Sequence, residues 1–195
     1  MSISTVCIYC ASSPEIDPKY FKAADQLGQT LAAANITIQY GGGAVGLMGQ
    51  VADSAMAAGG RVIGIIPEFM RAIELGHNHI TELILVPDMH TRKSKMAANT
   101  DAVIALPGGV GTLEELLEIL TWKRLGIYNQ PIILINVDGY FDPLIQMMEK
   151  AIDEKFMKPG HKNLWSAIDD PTKVVEAIQQ APNWDSQKVR FNYKP

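Results

Sequence analysis

The chain has 195 residues, 47% hydrophobic and 19% charged, a globular mix that excludes a disordered protein and fits one ordinary domain. Its 17 Lys and Arg against 21 Asp and Glu leave a net charge of −4, the wrong sign for a protein that grips a nucleic-acid backbone. No window nears the roughly 20 apolar residues of a membrane span, and the opening MSISTVCIYC lacks the regions of a signal peptide. Two cysteines make no disulfide framework, so a reducing cytoplasm is the expected compartment.

Residues 3–9 are short, apolar and β-branched and read as a buried strand. Asp17-Pro18 offers a helix N-cap with proline at the first helical position, and helical spacing runs over 20–34. A second strand at 36–40 ends at Gly41-Gly42-Gly43, an alanine-rich helix at 47–58 stops at Gly59-Gly60, and a third strand at 61–66 stops at Pro67. Residues 68–80 read as an irregular loop. A strand at 83–86, a helix at 89–99 and a fifth strand at 102–106 follow, the last broken by Pro107-Gly108-Gly109. The segment 113–125 is predicted as a strongly amphipathic helix with Leu113, Leu116, Leu117, Leu120 and Leu125 near one face and Trp122 exposed. A sixth strand at 131–137 and a helix at 144–156 complete the pattern. A single domain over 1–181 is then followed by a polar, aromatic tail at 182–195, expected to lie as a strap on the surface or on a partner.

Strand and helix alternate, and parallel strands need helical crossovers. The expected fold is α/β: a Rossmann-like, doubly wound, mostly parallel sheet with helices on both faces. In such sheets ligands sit beyond the carboxyl ends of the strands, where the turn into the next helix exposes backbone N–H groups.

Two glycine clusters occupy such turns. In the first, Gly41, Gly43 and Gly46 spell G-x-G-x-x-G between a strand and a helix, and Glu68 lies 22 residues beyond Gly46, roughly where a ribose-binding acid belongs. That leaves NAD binding open, alongside a purely structural tight turn. The second is Pro107-Gly108-Gly109-Val110-Gly111-Thr112. Two such turns in one small domain point to two phosphate- or ribose-approaching loops on one sheet edge. The second opens into Glu114 and Glu115, acids that complement a helix dipole. Adjacent helical residues diverge by about 100°, so one of the two is expected to face the cleft and Glu114 to point away. A carboxylate beside an anion-binding loop makes chemical sense where the neighbouring ligand atom becomes cationic. Arg92-Lys93, with Lys95, opens another helix after a strand, where a guanidinium suits a phosphate.

Three other signals count for less. Cys7 and Cys10 spell C-x-x-C, but odd spacing within a strand turns the thiols to opposite faces. His77 and His79 lack a nearby third metal ligand. The nine methionines read as core filler.

Pro107-Gly-Gly-Val-Gly-Thr-Leu-Glu-Glu115 matches the signature P-G-G-x-G-T-x-x-E, and Gly41-Gly-Gly-Ala-Val-Gly-Leu-Met-Gly49 its companion. With Met89-His-Thr-Arg-Lys93, the chain closely resembles the LONELY GUY family of cytokinin riboside 5′-monophosphate phosphoribohydrolases, often mislabelled lysine decarboxylases. The resemblance implies a homodimeric hydrolase that cleaves the N-glycosidic bond of a purine nucleoside 5′-monophosphate, cytokinin-type or AMP, to free base and ribose 5-phosphate. It makes Arg92 and Glu115 the catalytic pair and Lys93, Gly109, Val110, Gly111, Thr112 and Thr121 substrate contacts, with Glu74 a further contacting acid. The glycine loops, Gly42, Gly43 and Gly108 included, are expected to hold the 5′-phosphate through backbone N–H groups. Breaking a ribosyl C–N bond builds positive charge on the sugar, which Glu115 can meet. No metal or organic cofactor is expected. The alternatives are a nucleotide carrier of the same fold without turnover and a NAD-dependent oxidoreductase.

Overall fold

The computed structural model describes residues 3–71, 73 and 75–184. Seven strands form one sheet in the order β4-β3-β2-β1-β5-β6-β7. They are β1 (Thr5–Tyr9), β2 (Thr37–Tyr40), β3 (Val62–Pro67), β4 (Glu82–Val86), β5 (Ala102–Ala105), β6 (Ile132–Ile135) and β7 (Ser166–Ile168). Every pairing is parallel. Among the described residues six α-helices accompany them: α1 (Pro18–Ala33), α2 (Gly46–Ala57), α3 (Met89–Ala97), α4 (Val110–Leu125), α5 (Asp142–Asp153) and α6 (Val174–Gln180).

The alternation of strand side chains builds two cores. Val6, Ile8 and Cys10 pack with residues of α1, α2 and α6 on one face; Cys7 and Tyr9 pack with residues of α3, α4 and α5 on the other. The two thiols do face opposite ways, and both are buried and in no disulfide. Asp17 caps α1 as its sequence predicts, its carboxylate accepting from Lys19 N–H at 2.9 Å, with Pro18 in the first turn.

Several expectations need revision. Helix α4 begins at Val110, three residues before the predicted 113, because a glycine-rich turn can enter a helix once nearby contacts fix it. Its buried stripe is Thr112, Leu116, Ile119, Leu120 and Lys123, while Leu117 and Leu125 face outward and Trp122 is partly buried. Strand β7 and helix α6 went unread: three residues of edge strand and seven of helix are too short to show periodicity. Of the tail, Trp184 lies against the body, its indole N–H donating to the Lys123 carbonyl at 2.7 Å. Residues 185–195 of the tail and Glu74 fall outside the described residues.

From β1 the chain steps outward through β2, β3 and β4, then returns to the other flank of β1 with β5. That reversal between β1 and β5 is where a doubly wound sheet opens a crevice at its carboxyl edge.

Candidate active site

A cleft of about 370 Å³ occupies that crevice. Its walls come from the end of β1 (Cys10 to Ser13), Gly41 after β2, Arg92 and Met89 on α3, and Gly109, Val110, Gly111, Thr112, Glu114 and Glu115 at the start of α4.

Arg92 is 4% exposed. Its Nε donates to the Ile65 carbonyl at 3.2 Å and its Nη2 to the Gly41 carbonyl at 2.9 Å, so the carbonyl ends of β3 and β2 hold the guanidinium. Nη1 faces the sulfurs of Met70 and Met89 at 3.8 and 3.9 Å. A methyl group at Gly41 would lie 2.3 Å from Nη2; glycine is what lets the cation lie against the strand end. Glu115 lines the same cleft. Its negative charge reaches the buried end of β1: after burial itself, Glu115 is the largest influence pushing the Cys7 thiol upward, and it also raises the Tyr9 phenol.

The two glycine clusters play different parts. At the first, Leu47 N–H and Met48 N–H both donate to the Ala11 carbonyl, at 2.9 and 3.2 Å, so the N-terminus of α2 is already filled by the chain itself. Ala44 N–H donates to Leu75 O, His77 N–H to Gly42 O, and Gly43 bridges Gly76. Gly46 has φ +65° and presses on Ser12, where any side chain would collide with backbone. The cluster is a packing joint. Gly42 and Gly43, expected on the phosphate, are not among the residues lining the cleft, and the Gly42 carbonyl accepts instead from the loop that follows β3. The filled helix terminus equally removes the seat that a NAD pyrophosphate would need.

At the second cluster the first bond within α4 runs from Leu113 N–H to Gly109 O, which leaves the N–H groups of Val110, Gly111 and Thr112 with no backbone acceptor among the described residues. Beyond their chain neighbours and their own helix, Gly109 and Gly111 have no heavy atom of the described residues within 4 Å of where a side chain would start. Open space, unengaged donors and the positive end of a helix coincide there.

Other expected residues are distributed differently. Lys93 is absent from the cleft lining and is paired with Glu114 at 2.6 Å and Glu118 at 3.0 Å. Partial burial works against its charge, but these two carboxylates raise its amine above the ordinary value. Glu114 does not point away: it lines the rim of the cleft, drawn there by Lys93. Gly108 is buried behind the loop, and Thr121 lies along α4 in a separate, largely apolar groove with Leu117, Phe156 and Trp165. Four methionines read as core filler (Met48, Met70, Met89 and Met96) line the cleft.

His77 is 3% exposed and ties the loop after β3 to α2: its Nε2 faces Asp53 Oδ1 at 3.1 Å, and its Nδ1 accepts from His79 N–H at 3.1 Å. The latter bond makes Nε2 the protonated nitrogen of the neutral ring. Sequence patterning offered no sign of this pairing, since Asp53 lies 24 residues away on another element.

Comparison with known proteins shows the family and the fold. The sequence family described as possible lysine decarboxylase matches residues 48–178. Two cytokinin riboside 5′-monophosphate phosphoribohydrolases of Arabidopsis thaliana are each 42% identical to this chain. One aligns over 181 residues, 92% of this chain and 83% of the relative; the other over 174 residues, 89% and 76%. Among solved structures, the molybdenum cofactor carrier protein of Chlamydomonas reinhardtii superposes with a TM-score of 0.70 at 18% identity, covering 92% of this chain and 98% of that one. The molybdenum cofactor binding protein of Rippkaea orientalis gives 0.68 at 24%, covering 92% and 97%. At such identities these two share the fold. The chain belongs to the LONELY GUY family, whose curated members it matches over most of its length.

Proposed function

We propose that this protein hydrolyses the N-glycosidic bond of purine nucleoside 5′-monophosphates, cytokinin-type nucleotides and AMP, releasing the free base and ribose 5-phosphate. The observation that carries the reading is that one cleft combines a buried arginine, a carboxylate and an unengaged helix N-terminus. The donors of residues 110–112 receive the 5′-phosphate. The methionine lining, soft and adaptable, accepts the planar base. As the C1′–N bond breaks, its electron pair leaves with the base and the ribose ring becomes cationic. Glu115 meets that charge and orients the water whose oxygen bonds to C1′, one of its protons passing to the departing base. Arg92, fixed by Gly41 and Ile65, orients the nucleotide and balances charge.

The arrangement opposes lysine decarboxylation by a Schiff base, which requires a neutral, accessible amine. Lys93 is held as an ammonium by Glu114 and Glu118. Lys123, which burial pushes down to about 8, is not among the residues lining the cleft.

We further infer a homodimer working in the cytoplasm. Two buried cysteines that form no disulfide support the compartment. Exposed Leu117 and Phe156 lining a groove of about 350 Å³, with Leu125 and Ile127 also exposed near the end of α4, support association, which would also cover Thr121. A sedimentation mass of one chain at micromolar concentration would overturn the dimer. No helix among the described residues is long and apolar enough to cross a membrane.

The direct test is incubation with AMP. Adenine and ribose 5-phosphate should appear in equal amounts; AMP that binds and is recovered intact would support the carrier reading instead.

A further inference from the structure

The second glycine loop is held from outside the cleft by a residue that no motif includes. Tyr140 Oη donates to the Gly108 carbonyl at 2.7 Å. A dense local structure delivers that hydroxyl. The turn before it places Asp138 at φ +53° and Gly139 at φ +71°, two left-handed residues in succession, and Asn136 fastens the exit by accepting from Phe141 N–H at 2.7 Å. The Tyr140 ring stands edge-on to Tyr20 and Phe141, with centroids 5.8 and 5.2 Å away. Lys19 on α1 pairs with Asp138, closing the assembly. A non-glycine residue in a left-handed conformation persists where its surroundings compel it, and such positions gather near functional sites.

The Gly108 carbonyl belongs to the peptide that leads into Gly109. All described peptides are trans, and in a trans peptide the C=O and N–H point in opposite directions. Tyr140 is not among the cleft-lining residues, whereas Gly109 is. Holding the carbonyl on the Tyr140 side therefore sends the Gly109 N–H the other way. With glycine on both sides of this peptide, no Cβ opposes its rotation, so local sterics alone do not fix the plane. A flipped peptide would present a carbonyl dipole, repulsive to an anion, where a donor belongs.

We propose that Tyr140 is a positioning residue that fixes the Gly108–Gly109 peptide with its carbonyl turned away from the cleft and its N–H toward it, making the loop competent to receive a phosphate. The proposal rests on reading residues 109–112 as the phosphate seat. Thr112 supports the same loop from within, since its Oγ1 lies only 2.1 Å from where a Gly108 side chain would begin.

Tyr140→Phe keeps the ring and its aromatic neighbours and removes only the hydroxyl. Wild type and variant are compared for kcat and KM with AMP, kcat/KM with adenosine, inhibition by inorganic phosphate, and melting temperature. We expect KM for AMP and the phosphate inhibition constant to rise together by about 3- to 10-fold, the scale of one hydrogen bond. We expect kcat for AMP and kcat/KM for adenosine to stay within about twofold, since neither depends on loop affinity for phosphate. Equal losses on AMP and adenosine would mean general packing and overturn the proposal, as would unchanged affinity for AMP and phosphate. A wild-type enzyme that neither prefers AMP to adenosine nor binds inorganic phosphate would refute the phosphate seat itself, and the role of Tyr140 with it.

Discussion

Arg92 Nη2 donates to the Gly41 carbonyl at 2.9 Å, so the cation of the cleft is aimed by the residue that follows a central strand. A lysine would have one compact ammonium where Arg92 has a fork reaching both Gly41 and Ile65. Arg92→Lys should lower kcat/KM for AMP by about 100-fold or more, and Arg92→Ala should weaken AMP binding as well as turnover. Steady-state kinetics with an AMP titration measure both. Near-normal values for Arg92→Lys would mean that charge alone suffices there.

Glu115→Gln preserves size and most hydrogen bonding while removing the charge that meets the ribosyl cation. Turnover should fall by about 100-fold or more while AMP affinity holds or improves. Glu118→Gln, which touches Lys93 and not the cleft lining, should stay within about threefold. Glu114→Gln falls between, because that carboxylate both lines the rim and holds Lys93. Glu115→Gln with ordinary turnover would return the residue to helix capping.

The glycine clusters should separate stability from activity. Gly46→Ala forces a side chain into backbone atoms of Ser12 at a left-handed φ, costing about 2–4 kcal/mol and lowering the melting temperature markedly. Gly111→Ala enters open space in the first turn of α4, so it should leave stability unchanged or raise it by up to about 1 kcal/mol. Its methyl group should raise KM for AMP by about 10-fold or more. Thermal melts paired with kinetics would contradict the assignment if the two variants behaved alike.

Lys123 is 2% exposed, and no carboxylate pairs with its amine among the described residues. Burial lowers its pKa from 10.5 to about 8, so between pH 8 and 10.5 the unfolded chain binds more protons and stability should rise with pH. Below pH 8 the cost of keeping the charge buried is constant. Lys123→Met should stabilise the protein at pH 7 by about 2 kcal/mol, roughly 4–8 °C in Tm, and flatten the alkaline rise. A lower Tm at pH 7 would show that the amine has a favourable partner.

Much of this architecture was legible because its signals are local. Asp17-Pro18 marks the start of α1, Pro67 ends β3, and the turn at 107–109 marks where β5 gives way to α4. The cleft residues Arg92, Glu115 and 109–112 follow from the same rule, that strand ends carry chemistry. Apart from β7 and α6, which are too short to show periodicity, what was not legible depends on partners distant in sequence. Gly41 to Gly46 reads as a phosphate cradle until Ala11 is seen filling the helix terminus. Lys93 reads as a ligand contact until Glu114 and Glu118 are seen beside it, and the same ion pair turns Glu114 toward the cleft. Tyr140 follows an Asp-Gly turn signal, Asp138-Gly139, but its acceptor lies 32 residues back.

The reversal of the sheet also sets the order in which this protein can assemble. β1 pairs with β2 some thirty residues away, yet its other neighbour is β5, with Val6 opposite Ala102. A chain emerging from the ribosome can therefore build β1 through β4 while one flank of its central strand stays bare. Closing so distant a pairing is entropically demanding and slow relative to local contacts. Until it closes, Arg92 and the start of α4 have no common wall. A nascent or truncated chain ending before residue 102 presents an unprotected strand edge, and the hazard it meets there is aggregation.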